Sequence, residues 1–296
     1  MAVLVTGATG FVGKAVRSLC DSVGLELAGD PVDITDSAAV LAAVQAIRPS
    51  AVMHLAARSF VPDSVADPLG VFQVNFLGTL HLLQALRTTG FRGKLLYAST
   101  AGVYGAVEAE RLPIREEHPL GPRSPYAMSK VAAEALCCQY KVTGNFEIVV
   151  TRPFNHIGSG QSDRFVISNF AQQVVNVRRG QGPPVIHVGD IDTTRDFTDV
   201  RDVARAYLLL LERGESGAAY NVCSGVERSI RSVLDRLLEL AGVRAEIRAD
   251  PQRYRQGDQR RMFGSYDKLQ KDTGWTPQVP WEQTLQSILD YWSQED

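Results

Sequence analysis

Tyr126 and Lys130 stand four residues apart in Ser124-Pro125-Tyr126-Ala127-Met128-Ser129-Lys130, where Pro125 is placed to open a helix with both side chains on one face. A phenol with an ordinary pKa of about 10 exchanges protons poorly at neutral pH, whereas a neighbouring ammonium favours the phenolate and lowers that value. Thr100, expected to close a strand in Ala98-Ser99-Thr100-Ala101-Gly102-Val103-Tyr104, offers a hydroxyl to the same place. A hydroxyl, a phenol and an ammonium can hold a carbonyl and give or take its proton, leaving the hydride to a nicotinamide. By spacing alone, Tyr126 and Lys130 also suit an ordinary pair on a helix surface; the strand end favours chemistry.

Gly7-Ala8-Thr9-Gly10-Phe11-Val12-Gly13 follows the apolar run Ala2 to Thr6 and leads into a helical pattern. In that setting glycines let the backbone close on a pyrophosphate whose charge faces the helix N-terminus. Asp33-Ile34 after the second expected strand and Leu55-Ala56-Ala57 at the end of the third converge on the same sheet edge. Asp33 has the chemistry to accept from an adenine amino group or to cap local backbone. Only Asp30 stands near the end of the second strand to meet the adenosine ribose, which leans towards NADH without excluding NADPH.

The elements that must position these groups are short Val- and Leu-rich runs alternating with helical patterns, the mark of a parallel sheet with crossover helices. Strands are expected at Ala2 to Thr6, Leu25 to Gly29, Ala51 to Ala57, Lys94 to Thr100 and Phe146 to Pro153. Helices are expected at Gly13 to Val23, Asp36 to Ile47, Val71 to Thr88 and Tyr126 to Val142. Beyond Pro153 the rhythm loosens: a loop at Asn155 to Asp163, a helix to about Arg179, a strand Val185 to Gly189, then an α/β pair around Val200 to Gly225. The fold class is α/β, a Rossmann-like doubly wound parallel sheet with a smaller, interleaved C-terminal substrate domain. Residues 1–154 form the dinucleotide-binding part, with 188–225 returning to it, and 155–187 and 226–296 form the other.

Composition excludes several classes of function. With 31 basic and 33 acidic residues in 296, the net charge is −2, so no global field draws the chain to nucleic acid or to a membrane surface. The 4 cysteines, Cys20, Cys137, Cys138 and Cys223, lack metal-type spacing, so no metal site is expected and a reduced, cytoplasmic setting fits. No apolar run approaches the roughly 20 residues that span a bilayer, and a first strand at Ala2 leaves no room for a signal peptide.

The glycine turn, Asp33-Ile34, Leu55-Ala56-Ala57, Asn75, Thr100 and Tyr126/Lys130 together resemble the extended short-chain dehydrogenase/reductase family over essentially the whole chain. The resemblance implies NAD(P)H as cofactor, held by Gly7, Gly10, Phe11, Val12, Gly13, Asp33, Ile34, Leu55, Ala56, Ala57, Asn75, Tyr126, Lys130 and Pro153. It implies Tyr126 as proton donor/acceptor, Lys130 on the nicotinamide ribose, Thr100 on the substrate oxygen, and a homodimer. The second half is similar to the family's nucleotide-sugar members through Arg152 to Gly158, Arg195 to Asp202 and Tyr220-Asn221-Val222. In these the positions of Asn155, Arg195 and Arg255 meet the substrate diphosphate; arginines gathered at loop ends suit that charge. His156 reads as a core or loop histidine. Phe154 to Gln161, with Tyr220 to Gly225, is most similar to the 4-ketoreductases of GDP-4-keto-6-deoxy-mannose. The alternative is an NAD-dependent nucleotide-sugar 4-epimerase. Related 4,6-dehydratases follow the Thr with an Asp-Glu pair, where this chain has Ala101 and Gly102.

Overall fold

Val3, Val5, Ala51, Met53, Leu96 and Val149 are buried on one face of a sheet, and Leu4, Val52, Leu95, Tyr97, Ile148 and Val150 on the other. Successive side chains of a strand point to opposite faces, so strands apolar at every position require helices on both sides. In the structure, a computed structural model, residues 2–22, 26–28, 32–254 and 259–295 are described. The sheet runs in the order β2-β1-β3-β4-β5-β9, all parallel. Its strands are β1 (Ala2–Thr6), β2 (Glu26–Ala28), β3 (Ala51–His54), β4 (Lys94–Ala98), β5 (Glu147–Pro153) and, far along the chain, β9 (Ala219–Val222). Helices α1 (Phe11–Ser22) and α8 (Val200–Arg213) cover the first face. Helices α2 (Ser37–Ile47), α5 (Gly78–Thr88) and α6 (Pro125–Thr143) cover the second. The chain leaves β1 for β2 on one side and for β3 on the other, which opens a crevice beyond the carboxyl ends of β1 and β3.

The remaining elements build a second core of Ile157, Phe170, Val174, Ile186, Phe197, Leu234 and Ile288. Helices α7 (Val166–Arg178), α9 (Ile230–Ala241) and α11 (Trp281–Gln294) surround it. Strands β6 (Asn155–Ile157) and β12 (Arg261–Met262) pair in parallel with β8 (Thr194–Asp199), β10 (Glu227–Ser229) pairs antiparallel with it, and β7 (Val185–Val188) pairs with β11 (Glu246–Ala249). Short helices α3 (Val61–Ala66), α4 (Pro68–Phe72) and α10 (Asp267–Thr273) complete the set.

Several expected boundaries shift for local reasons. The third strand ends at His54, so Leu55-Ala56-Ala57 is loop, and the fourth ends at Ala98, short of Thr100. Thr100 instead opens a 3-10 turn over Ala101–Tyr104, its Oγ1 accepting from the Gly102 amide at 3.1 Å. The helix expected at Val71 begins at Pro68, capped by Asp67, and passes through a π-helical turn at Gln73–Leu77 before α5. Pro68–Thr88 thus makes 21 helical residues containing an 18-residue stretch of mean hydropathy 1.3, long and apolar enough to cross a bilayer, which corrects the expectation that no such run exists. Its Leu82, Leu83 and Leu86 are buried against the sheet, the environment that its apolar composition serves. Leu25, Gly29, Asp30 and Arg255 lie outside the described residues.

Candidate active site

The turn from β1 to α1 is built so tightly that side chains are excluded from it. Gly7 sits at φ 74°, and a Cβ there would come within 2.7 Å of the Ala56 amide nitrogen. A Cβ on Gly13 would meet the Gly7 carbonyl at 2.3 Å. One on Gly10 would meet only that carbonyl, at 3.2 Å, so the rest of its surroundings are open to a ligand. Phe11, Val12 and Gly13 form the first turn of α1, whose amides have no preceding turn to bond, and no acidic side chain competes there. This cradle fits a dinucleotide pyrophosphate.

Beneath the turn, polar side chains run in one buried chain. The Ala56 amide donates to Thr6 Oγ1 at 3.4 Å, and Thr6 Oγ1 lies 2.6 Å from His54 Nδ1. His54 Nε2 meets Thr79 Oγ1 at 2.9 Å, and Thr79 donates onward to the Asn75 carbonyl at 2.6 Å. Burial foremost, with the Lys130 charge assisting, pushes His54 down to about 3, so the imidazole is neutral. Asn75, in the π turn, accepts from the Arg58 amide at 2.9 Å and donates to the Arg58 carbonyl at 3.1 Å and to Ser129 Oγ at 3.0 Å. It therefore ties the loop after β3 to α6.

Ser124 caps α6, accepting from the Ala127 amide at 3.1 Å, and Pro125 takes the first turn. Tyr126 is thereby placed near Thr100, whose hydroxyl acts to lower the pKa of the phenol. Burial pushes Tyr126 up to about 12, with Thr100 opposing. The phenol thus stands above its ordinary value, against the expectation that a neighbouring ammonium brings it down: loss of hydration decides the shift, and Lys130 is not among its causes. Lys130 donates to the Ala98 carbonyl at 2.7 Å and lies 4.9 Å above the Tyr97 ring. Burial pushes it down to about 8, against the charges of Cys137 and Glu134.

A set that the spacing argument missed lies directly behind. Ser99, next to Thr100, donates to Glu134 Oε1 at 2.5 Å, and Arg152 meets the same carboxylate with Nε at 3.2 Å and Nη2 at 2.7 Å. Arg152 Nη1 continues to the Tyr104 hydroxyl at 3.1 Å, which donates to Asn221 Oδ1 at 2.7 Å. The available signal was Glu134 itself, four residues beyond Lys130 on the same helical stripe.

The other expected residues divide. Asp33 is exposed and accepts from the Thr35 amide at 2.9 Å, the local capping role; Ile34 turns its side chain into the core beneath Gly78. Pro153 ends β5, and Asn155, two residues on, is exposed at the start of β6. His156 stacks on Phe11 at 6.0 Å and donates from Nδ1 to the Phe154 carbonyl at 3.2 Å, a structural placement joining the second part of the chain to the glycine turn. Arg195 is buried and donates to the carbonyls of Thr194 at 2.7 Å and Gln259 at 2.8 Å. Its neighbours Asp196 and Asp199 serve other partners, Ser224 and Gly225 for the first and Arg201 and Thr284 for the second.

Comparison with known proteins agrees with this geometry. The GDP-mannose 4,6 dehydratase family matches residues 26–288. GDP-6-deoxy-D-mannose reductase of Pseudomonas aeruginosa is 46% identical over 292 residues, covering 97% of this chain and 96% of that one. The solved structure of RMD from P. aeruginosa complexed with NADPH superposes with a TM-score of 0.95 at 43% identity, over 100% of this chain and 99% of that one. The Thermus thermophilus UDP-glucose 4-epimerase complexed with NAD gives 0.88 at 33% identity, over 100% of both chains. The glycine cradle, the Thr100, Tyr126 and Lys130 set and these matches agree: the chain belongs to the GDP-mannose 4,6-dehydratase family of extended short-chain dehydrogenase/reductases.

Proposed function

We propose that the chain reduces the 4-keto group of GDP-4-keto-6-deoxy-D-mannose with NAD(P)H, giving GDP-D-rhamnose. The observation that carries this reading is the pairing of an intact Thr100, Tyr126 and Lys130 with Ala101 and Gly102, which have no proton to exchange. Elimination of the C6 hydroxyl needs an acid and a base beyond those three, whereas carbonyl reduction needs one proton and one hydride. The likeness to the P. aeruginosa reductase supports the GDP-sugar as substrate.

Gly7, Gly10 and the first turn of α1 would hold the pyrophosphate, Asn75 would brace the loop that flanks it, and Lys130 would bind the ribose. When bound, the dinucleotide supplies the hydride. Thr100 holds the substrate oxygen by a hydrogen bond while Tyr126 gives its proton to that same oxygen, so C4 gains a hydrogen and its carbonyl becomes a hydroxyl. Asn155, Arg195 and Arg255 are assigned to the diphosphate of the sugar nucleotide. The free Cys20, Cys137, Cys138 and Cys223 suit a reducing cytoplasm.

Incubation with GDP-mannose and NAD(P)+ should give no 4-keto-6-deoxy sugar, whereas supplying that sugar with NAD(P)H should give its reduced product. Dehydration in the first assay would overturn the reading. Inversion at C4 of a nucleotide sugar, by protein that retains its dinucleotide through purification, would select the epimerase instead.

A homodimer is part of the same proposal. Val65, Leu69, Leu77 and Met128 are exposed on α3, α4, the π turn and α6, elements that pack beside one another and leave an apolar face for a second copy.

A further inference from the structure

Tyr126, Lys130 and Glu134 occupy one stripe of α6, a turn apart each. The first lies near Thr100; the other two grip the residues just before it. Lys130 donates to the Ala98 carbonyl at 2.7 Å, and Glu134 accepts from Ser99 Oγ at 2.5 Å. Two consecutive residues of the β4 end are thus stapled to α6, which leaves the helix one rotational setting against Thr100. Glu134 is 6% exposed and Lys130 2%, so both charges are held away from water, one turn apart on the same helix. Arg152, 8% exposed, closes the far side of the carboxylate with two hydrogen bonds.

We propose that Glu134 is a positioning residue of this site: its carboxylate, aimed by Ser99 and Arg152, is the counter-charge of the buried Lys130 ammonium and locks α6 so that Tyr126 is held near Thr100. The role assigned to Lys130 rests on the reading of the site as a dinucleotide-dependent reductase. The titratable and charged groups around Lys130 are His54 of β3, Tyr97 of β4, Tyr126, Glu134 and Cys137 of α6, and Arg152 of β5 behind Glu134. Of these only Glu134 is a carboxylate. Burial already pushes Lys130 down to about 8, and Glu134 opposes that shift. Without it, Lys130 loses its proton at lower pH, while Arg152 is left charged and unpaired beside it.

The test follows NADH and NADPH binding by fluorescence across pH, in wild-type protein and in Glu134→Gln, with no sugar substrate present. The expected result is a midpoint lowered by about one pH unit in Glu134→Gln, equivalent to about fivefold weaker binding near the wild-type midpoint. Glu134→Asp, which keeps the charge, should return the midpoint to the wild-type position. Should Glu134→Gln not fold, Glu134→Leu/Arg152→Met removes both buried charges and carries the decision: a wild-type melting temperature with a lowered midpoint supports the proposal. A wild-type midpoint in whichever of these variants folds overturns it, whether or not the protein reduces any sugar.

Discussion

Tyr126 keeps its proton throughout the neutral range, because burial pushes the phenol up to about 12. A buried phenol is the right form for the reductive direction, where a proton is given. Ketone reduction should therefore show no Tyr126 limb near neutral pH, and its decline above about 8 should follow Lys130, which burial pushes down to that value. Tyr126→Phe should bind NADPH as wild-type does and lose ~10²- to 10⁴-fold in kcat, since it removes a proton and little volume. A near wild-type rate would remove Tyr126 from the mechanism. At this scale the sequence was legible wherever chemistry depends on local spacing, as in Gly7 to Gly13 or Tyr126 and Lys130. It was opaque where the fold joins distant residues: Ser99 and Glu134 are 35 residues apart, and Glu134 and Arg152 are 18 apart. The direction of the Tyr126 shift was also hidden, because burial is a property of the assembled site.

Elements are held together here by side chains as well as by ladders. The chain from Thr6 through His54 and Thr79 to Asn75 links β1 and β3 to the helix above them. His54 is buried and neutral, held down to about 3 against an ordinary 6.5. Its folded value lies below the unfolded one, so unfolding takes up a proton in acid. The stability it permits is complete above about 6.5 and is lost as the pH falls towards about 3, by up to about 1.4 kcal/mol per pH unit. His54→Gln should flatten the fall of Tm between about pH 6 and 4 relative to wild-type, although it starts from a lower Tm. An unchanged slope would assign the acid lability to other groups. The long apolar elements were readable from the sequence because their pattern repeats. β8 was not: its Arg195, Asp196 and Asp199 are buried in hydrogen bonds, so a strand interior reads as a polar segment. The π turn carrying Asn75 left no mark on the helical pattern, since one widened turn only shifts its phase.

Over the whole molecule, buried side chains pack on both faces of the parallel sheet and a separate core lies between α7, α9 and α11, while an exposed apolar face remains at α3, α4, the π turn and α6. Sedimentation should find a dimer, and Leu69→Glu/Met128→Glu should give monomers, because each charge would have to be buried at the contact. A wild-type monomer at micromolar concentration would rule the assembly out. The order of strands has a consequence for biosynthesis. β5 pairs with β4 on one side and with β9 on the other, and β9 begins at Ala219 whereas β5 ends at Pro153. On the ribosome the nascent sheet waits for about 65 further residues with an apolar edge unpaired, ~3–13 s at ordinary rates of synthesis. During that wait the edge strand Glu147–Pro153 is open to pairing with another nascent chain, so translation speed through residues 154–218 sets how long the protein is exposed to misassembly.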